Sequence, residues 1–275
     1  MKRLIALIVL VLATAAAAQD FDWFRRGYGR FRRVPPRLAA EDSFDGAFNF
    51  CRVMYTSVRR HPSGQGWWTD YPDADINFSI RLGEVTKTRI SHDMEGNPNH
   101  LVVPLTDENL FKCPWAILED AGSAGLTDEE ITALRTYLLK GGFLWVDDFW
   151  GPWAWDNWIT ELSRVLPPSE YPIRDVPMDH PIFKTMFEIK ELPQIPSINF
   201  WSRSGGATSE LGSDSETPTM RAITDQQGNI MVLITHNTDI ADAWEREGED
   251  PRYFYSFSPD GYAVGINVLM YAYTH

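Results

Sequence analysis

Short apolar segments recur along this sequence with helical patterns between them, and this alternation constrains the fold more than any other feature. Five segments have the length and composition of a buried strand, namely residues 48–55, 101–105, 114–119, 143–146 and 230–235. Strands that alternate with helices along one chain are typical of a largely parallel sheet. We therefore expect an α/β fold, built on an open and mostly parallel sheet with helices on both faces.

The clearest helical pattern precedes the fourth predicted strand. Thr127 and Glu130 have the spacing of a capping box, apolar residues follow at helical intervals, and Gly141 and Gly142 end the segment. Further helices are predicted over residues 73–85, 158–165 and 265–273, with Asp73 as the N-cap of the first. Residues 167–200 and 202–217 have the composition of irregular and loop structure.

The first residues have the three-part pattern of a secretory signal peptide. Lys2 and Arg3 precede an apolar run over residues 4–12, and small residues at 16–18 form a cleavage signal before Gln19. The apolar run is too short to cross a hydrocarbon core of about 30 Å comfortably. We expect cleavage after residue 18 and an exported protein, periplasmic or extracellular, with no stable membrane span.

Cleavage would leave an Arg/aromatic N-terminal arm over residues 19–44 and a single α/β domain over residues 45–275. The arm either folds onto the acidic domain or contacts the cell envelope. Because the formal net charge of the chain is −13, we expect no nucleic-acid partner. The two cysteines, Cys51 and Cys113, either pair in an oxidising compartment or remain buried thiols.

Polar and aromatic residues follow the predicted strands at their carboxyl ends, where ligands bind in open α/β sheets. The candidate ligand-binding residues are Arg52, Trp68, Asp70, Asp147, Asp148, Trp150, His236, Asn237, Asp239, Trp244 and Glu245. Adjacent strand residues point to opposite faces, so we expect Asp148 to face a site while Asp147 caps or pairs.

Three functions are compatible with these residues. The first is binding of a polar, sugar-like ligand, because indoles pack on the C–H faces of sugars. The second is metal-dependent hydrolysis, with Asp148, His236 and Asp239 binding a divalent metal and another carboxylate acting as base. The third is purely structural, with the polar groups capping helices and bonding to one another.

We expect a non-catalytic binding or scaffold protein of the bacterial cell envelope, with a polar, Trp-rich ligand rim at the strand ends. Its partner would be a cell-envelope protein or a glycan. The sequence predicts no particular cofactor, although a divalent metal is compatible with the acidic residues, and it predicts no particular oligomeric state.

Several motifs resemble the uncharacterised family catalogued as domain of unknown function 4159. They are residues 67–78, 141–151, 179–183, 192–196, 236–239 and 244–245. The resemblance implies a flavodoxin-like fold similar to class I glutamine amidotransferases, and it implies no activity. Those enzymes place a nucleophilic cysteine at a sharp turn after a central strand, where this sequence has Asp147 and Asp148. We therefore expect no glutaminase activity.

Overall fold

A seven-stranded sheet forms the centre of the protein in the computed structural model, which describes residues 34–58 and 65–275. The strands are β1 (Phe50–Met54), β2 (His100–Pro104), β3 (Trp115–Glu119), β4 (Phe143–Asp147), β5 (Arg174–Asp175), β6 (Thr219–Thr224) and β7 (Ile230–His236). The order is β2-β1-β3-β4-β7-β6-β5, with parallel ladders from β2 to β7 and antiparallel ladders joining β7, β6 and β5. The predicted α/β class and mostly parallel open sheet are confirmed.

Helices connect the strands. They are α1 (Asp73–Thr86), α2 (Asp128–Leu139), α3 (Gly151–Val165), α4 (Ile198–Ser204), α5 (Asp242–Glu245) and α6 (Pro251–Thr274). Short 3-10 helices cover Glu41–Ser43, Glu108–Lys112, Ala121–Ser123, Pro181–Lys184 and Gly212–Ser215. Across these described parts of the chain, no helix has the length and apolar character needed to cross a membrane. The predicted signal peptide and residues 19–33 of the predicted arm lie outside the described residues.

The capping box that precedes α2 is confirmed. The Thr127 hydroxyl accepts a hydrogen bond from the Glu130 amide at 3.2 Å, and the Glu130 carboxylate accepts one from the Thr127 amide at 2.9 Å. At α1 the prediction is wrong by one position, because Pro72 is the N-cap and Asp73 is the first helical residue.

Two elements differ more from the sequence-based prediction. Helix α6 begins at Pro251, well before the predicted 265, where the Asp250 side chain caps it by accepting from the Arg252 amide. The helix continues through Pro259 and Gly261, residues that ordinarily interrupt a helical pattern, and Gly261 packs closely on α5, where an added Cβ would lie 2.5 Å from the Ala243 Cβ. Strand β6 has alternating burial, which is typical of a strand with one exposed face, and therefore lacks the continuous apolar run of the central strands. Strand β5 and helix α4 lie in segments predicted to be irregular.

One face of the sheet carries a row of large apolar side chains that packs against α1, α5 and α6. Phe50 of β1 lies 5.6 Å from Phe78 of α1, and Trp145 of β4 lies 5.8 Å from Trp244 of α5, between ring centroids. Helices α2 and α3 contact each other, and their buried residues lie outside this core cluster. The core therefore fixes α1 and α5 side by side on the same face of the sheet.

Two residues further along each strand, on the same face, the side chains become polar. The positions that follow Phe50, Ile117, Trp145 and Leu233 in this way are Arg52, Glu119, Asp147 and Thr235. The apolar core thus ends in a layer of polar side chains at the carboxyl ends of the strands. This polar layer lies next to α1 and α5.

Cys51 of β1 and Cys113 in the segment before β3 form a disulfide, with a Cα–Cα distance of 6.2 Å. Both residues are buried. The alternatives left open by the sequence are therefore decided in favour of pairing, and the bond closes a loop with a sequence separation of 62 residues.

We expect reduction of this disulfide to lower the free energy of unfolding by about 4 kcal/mol, because a loop of that length regains its entropy in the unfolded chain. Urea unfolding with and without a reducing agent measures the change. The double variant Cys51→Ala/Cys113→Ala is the control and should not respond to the reducing agent. An unchanged unfolding midpoint for the reduced native chain would contradict the prediction.

Candidate functional site

The carboxyl ends of the parallel strands meet at one edge of the sheet, where the chain turns sharply after each strand. Asp120, Asp148 and Asn237 directly follow β3, β4 and β7, with backbone φ angles of 50°, 50° and 60°. Asp and Asn tolerate this left-handed conformation better than other residues with side chains. The order of β2, β1, β3 and β4 also places the topological switch point of the sheet between β1 and β3 at this edge.

The Arg52 side chain is completely buried beneath this edge. Its guanidinium donates to both oxygens of Asp75 in α1, with a shortest distance of 2.5 Å, and to the Thr69 and Trp67 carbonyls at 2.8 and 3.3 Å. Arg52 Nη1 also lies 3.7 Å from Glu119 Oε1. Arg52 therefore joins β1 and β3 to the start of α1.

Asp147 is also buried, and both of its oxygens have partners. Its Oδ1 accepts a short hydrogen bond of 2.5 Å from the Thr235 hydroxyl, and its Oδ2 accepts from the amides of Ile240 and Ala241 at 2.8 and 3.2 Å. Burial raises the pKa of Asp147 to about 7, against the effect of these bonds. Asp147 thus orders the segment that leads from β7 to α5.

Four other buried carboxylates have oxygens without a hydrogen-bond partner among the residues described. These oxygens are Asp70 Oδ2, Glu119 Oε1 and Oε2, Asp120 Oδ1 and Asp148 Oδ2. Burial is the largest cause that raises the pKa values of these groups, and it raises the pKa of Asp120 to about 7. For Asp148, the charges of Asp120 and Glu119 add to the effect of burial.

Electrostatic repulsion connects these groups with further carboxylates from the β7–α5 segment. Burial raises the pKa of Asp239, and the charges of Asp148 and Asp70 raise it further. We refer to the connected groups as the acidic cluster, which consists of Asp70, Glu119, Asp120, Asp148, Asp239, Asp242 and Glu245. Because like charges disfavour one another, the cluster as a whole favours bound protons or a cation.

Within the acidic cluster, Asp70, Asp242 and Glu245 each offer a carboxylate oxygen, and these three oxygens lie within 4.8 Å of one another. Asp70 is 9% exposed and precedes α1, with φ 63°. Asp242 and Glu245 lie three residues apart on α5 and therefore share one helical face. Among the described residues, these three carboxylates form the group of acidic, histidine or cysteine side chains whose ligand atoms are close enough together to hold one metal ion.

The structure does not assemble the predicted metal ligands Asp148, His236 and Asp239 into such a group. His236 alternates with Thr235 on β7 and so points to the opposite face, where its ring lies against Phe149 and Trp155 at 4.8 and 5.1 Å. Its Nε2 is 3.0 Å from the Gly151 carbonyl oxygen. Asp239 instead accepts the Asp242 amide at 2.8 Å.

His236 and Asn237 line a separate open groove with a volume of about 450 Å³. Arg221 lies 4.3 Å above the Trp155 ring in the same groove. The Asn237 side chain is already engaged, since it accepts from the Gly151 amide at 2.9 Å and donates to the Thr217 carbonyl at 3.0 Å. These two predicted site residues are therefore apart from the group formed by Asp70, Asp242 and Glu245.

The predicted tryptophans are buried. Trp68 contacts Trp67 at 4.7 Å, Trp244 contacts Phe78 at 4.6 Å, and the Trp150 indole donates to Asp148 Oδ1 at 3.3 Å. Trp68, Trp150 and Trp244 are at most 5% exposed, so their rings pack within the domain. Binding of a glycan by a Trp-rich rim stays a prediction.

The predicted site residues omit four acids that complete this geometry: Asp75, Glu119, Asp120 and Asp242. The strand-end rule does predict from the sequence that these acids follow the strands, and Glu119 and Asp120 end β3 beside the switch point. Asp75 and Asp242 lie on helices, and tertiary packing gives them their contacts at this edge.

A comparison with protein families identifies a match over residues 49–273, almost the whole described domain. The chain belongs to the family described as "Domain of unknown function (DUF4159)". No curated protein matches the chain. Family membership is therefore shown, while the similarity to glutamine amidotransferases stays a prediction.

We expect Arg52→Met to lower the free energy of unfolding by about 3–5 kcal/mol, because it leaves Asp75 and Glu119 buried without their cation. Urea unfolding measures the loss. The control is Arg252→Met, which removes an exposed pair with Asp250 and should lower the free energy of unfolding much less, because water screens that pair. Equal losses in the two variants would contradict the role assigned to Arg52.

We also expect the stability of the protein, kept free of divalent cations, to fall as the pH rises from 5 to 8. The pKa of Asp120 is about 7 in the folded protein and 3.8 ordinarily, so the folded state retains a proton that the unfolded state has released. Its contribution is fully present below 3.8 and is lost as the pH rises through about 7.

For Asp120 alone the loss between pH 5 and 8 is about 3 kcal/mol. Urea unfolding at the two pH values measures it. Asp120→Asn should flatten the dependence, because the amide stays neutral and tolerates the left-handed backbone. The exposed Asp260→Asn should leave the dependence unchanged. A slope that Asp120→Asn does not reduce would show that other groups carry it.

Proposed function

We propose that this protein is a non-catalytic binding domain of the cell envelope that takes up a positively charged ligand at the acidic cluster. The main support for this function is the excess of buried acidic groups over buried basic groups at the strand ends. Eight carboxylates there are at most 9% exposed, whereas Arg52 is the buried guanidinium or ammonium of the described chain. A cation would neutralise charge that the protein itself leaves unbalanced.

Hydrogen bonding does not account for this charge. Asp75 is matched by Arg52, and Asp147 by the Thr235 hydroxyl and two amides. By contrast, Asp70 and Asp148 each have a buried oxygen without a partner in the described ranges. Burying an ionised carboxylate without compensation is costly, so these groups hold either protons or a cation. Binding of a cation at neutral pH therefore has a direct source of free energy.

The proposal includes export. The signal-peptide pattern over residues 1–18 supports it, and so does the Cys51–Cys113 disulfide, because such bonds persist in oxidising compartments. A cell-envelope protein or glycan that presents a positive charge, or that binds through a metal ion, would be the partner of such a domain.

The proposal is tested by thermal unfolding of the chelator-treated chain against Ca²⁺, Mg²⁺, Mn²⁺ and the organic cations spermidine and arginine amide. A cation that binds only the folded state stabilises it by about 2.7 kcal/mol at a hundredfold excess over its Kd. For a domain of this size, that raises the Tm by about 5–10 °C. At least one of these cations should give a rise of this size.

The matched variants are Asp70→Asn and Asp179→Asn, which remove the same charge from the cluster and from an exposed turn. Asp70→Asn should raise the Tm of the cation-free protein, since it removes a buried like charge, and it should abolish the response to the cation. Asp179→Asn should change neither. If no cation of either class raises the Tm of the native chain, the proposed function fails.

A further inference from the structure

We infer that Asp70, Asp242 and Glu245 coordinate a hard divalent cation, with Ca²⁺ as the best fit. The inference rests on the proposed function and names the ligand of the same site. It follows from the spacing of the three carboxylates, from the buried oxygens around them and from the chemistry of the donor atoms.

The spacing suits an ion of the size of Ca²⁺. The three oxygens lie within 4.8 Å of one another. Oxygen ligands bind Ca²⁺ at about 2.3–2.6 Å, so two ligands on opposite sides of the ion are about 5 Å apart. This upper bound accommodates Ca²⁺. The coordination of Ca²⁺ is flexible and tolerates unequal ligand spacings, whereas Mg²⁺ demands near-ideal octahedral geometry, so Ca²⁺ is the better fit.

The buried oxygens that surround the group point independently to a ligand. Asp70 is 9% exposed, and its Oδ2 has no hydrogen-bond partner in the described chain. Asp148 lies outside the group of three, is 3% exposed and also has a partnerless Oδ2. The charge of Asp148 raises the pKa values of both Asp70 and Asp239. A cation held by the group of three would compensate this buried negative charge.

The neighbouring structure holds the ligands in place. Asp242 Oδ2 accepts from the Ile198 amide at 2.9 Å and from the Tyr253 hydroxyl at 3.2 Å. Glu245 Oε2 pairs with Arg246 at 2.7 Å. The Asp242 and Glu245 side chains are also hydrogen-bonded to each other, and a cation would replace the proton between them. Asp70 approaches from the loop before α1. The site therefore joins two segments that are distant in sequence and are already positioned by the core.

The donor atoms decide the class of metal. All three ligands are carboxylates, which suit Ca²⁺, Mg²⁺ and Mn²⁺, whereas Zn²⁺ and Cu²⁺ favour imidazole or thiolate ligands. His236 points to the opposite face of the sheet, and both cysteines are in the disulfide. Zn²⁺ should therefore compete weakly.

The test uses Tb³⁺, a hard ion that occupies Ca²⁺ sites and emits when a nearby tryptophan transfers energy to it. Trp244 lies between Asp242 and Glu245 on α5 and can sensitise the emission. The chelator-treated full chain is titrated with Tb³⁺, and the bound ion is then displaced with Ca²⁺, Mg²⁺ or Zn²⁺. We expect saturable emission, displaced by Ca²⁺ at concentrations at least tenfold lower than by Mg²⁺ or Zn²⁺.

Asp70→Asn and Glu245→Gln should each weaken Tb³⁺ binding at least tenfold, while the exposed controls Asp179→Asn and Glu95→Gln bind like the native chain. Circular dichroism and the Tm in chelator establish that each variant is folded. Emission that both cluster variants leave unchanged would overturn the inference, because the ion would be bound elsewhere.

The outcomes separate the inference from the proposed function. If spermidine or arginine amide raises the Tm but no divalent ion does, the ligand is an organic cation: the inference is overturned and the proposed function stands. If neither class of cation raises the Tm or gives saturable binding, both fail. Binding of Ca²⁺ that depends on Asp70 and Glu245 supports both.

Discussion

One buried ion pair sets the geometry of the strand-end edge. Arg52 follows the apolar Phe50 on the core face of β1. Its hydrogen bonds to Asp75 and to the Thr69 carbonyl fix the start of α1 against the sheet. The segment that contains Asp70 leads directly into this helix. Replacing such a pair with apolar residues is often neutral or stabilising in other proteins, so its retention does not follow from stability alone. Its effect here is to hold carboxylates in defined positions.

Asp147 and Asp148 illustrate how adjacent acids take different structural positions. Asp147 ends β4 on the face of the polar layer, and its oxygens bind Thr235 and the amides of the β7–α5 segment. Asp148 begins the turn with φ 50°, and its Oδ1 accepts a hydrogen bond from the Trp150 indole. Asp147 therefore positions α5, which carries Asp242 and Glu245. Asp148 keeps one oxygen, Oδ2, without a hydrogen-bond partner in the described chain. Alternation along the strand explains this division.

Local patterns made much of the fold predictable from the sequence, including the capping box of α2 and the central apolar strands. Prediction from the sequence failed where tertiary packing determines the structure. The sequence predicts a helix that begins at Gly265, whereas in α6 this glycine lies inside the helix, and a Cβ added to it would lie 2.4 Å from the Trp244 ring. At the site, the sequence predicts which polar residues follow the strands. It does not predict how closely the carboxylates of α5 approach Asp70. For the same reason, His236 could be placed at a strand end but not on a face relative to Asp148.

Glu130 shows what a buried acid looks like in this protein when its role is structural. It is 8% exposed, close to the exposure of Asp70, yet it accepts from the Thr127 and Thr56 amides and the Thr56 hydroxyl. This fold can thus satisfy a buried carboxylate fully. Apart from the half-buried Glu245, the acidic cluster has comparable or deeper burial, but four of its carboxylates have oxygens without a partner in the described residues. A purely structural account would require the pattern of Glu130 at the strand ends as well, and the contrast between the two sites favours a cation there.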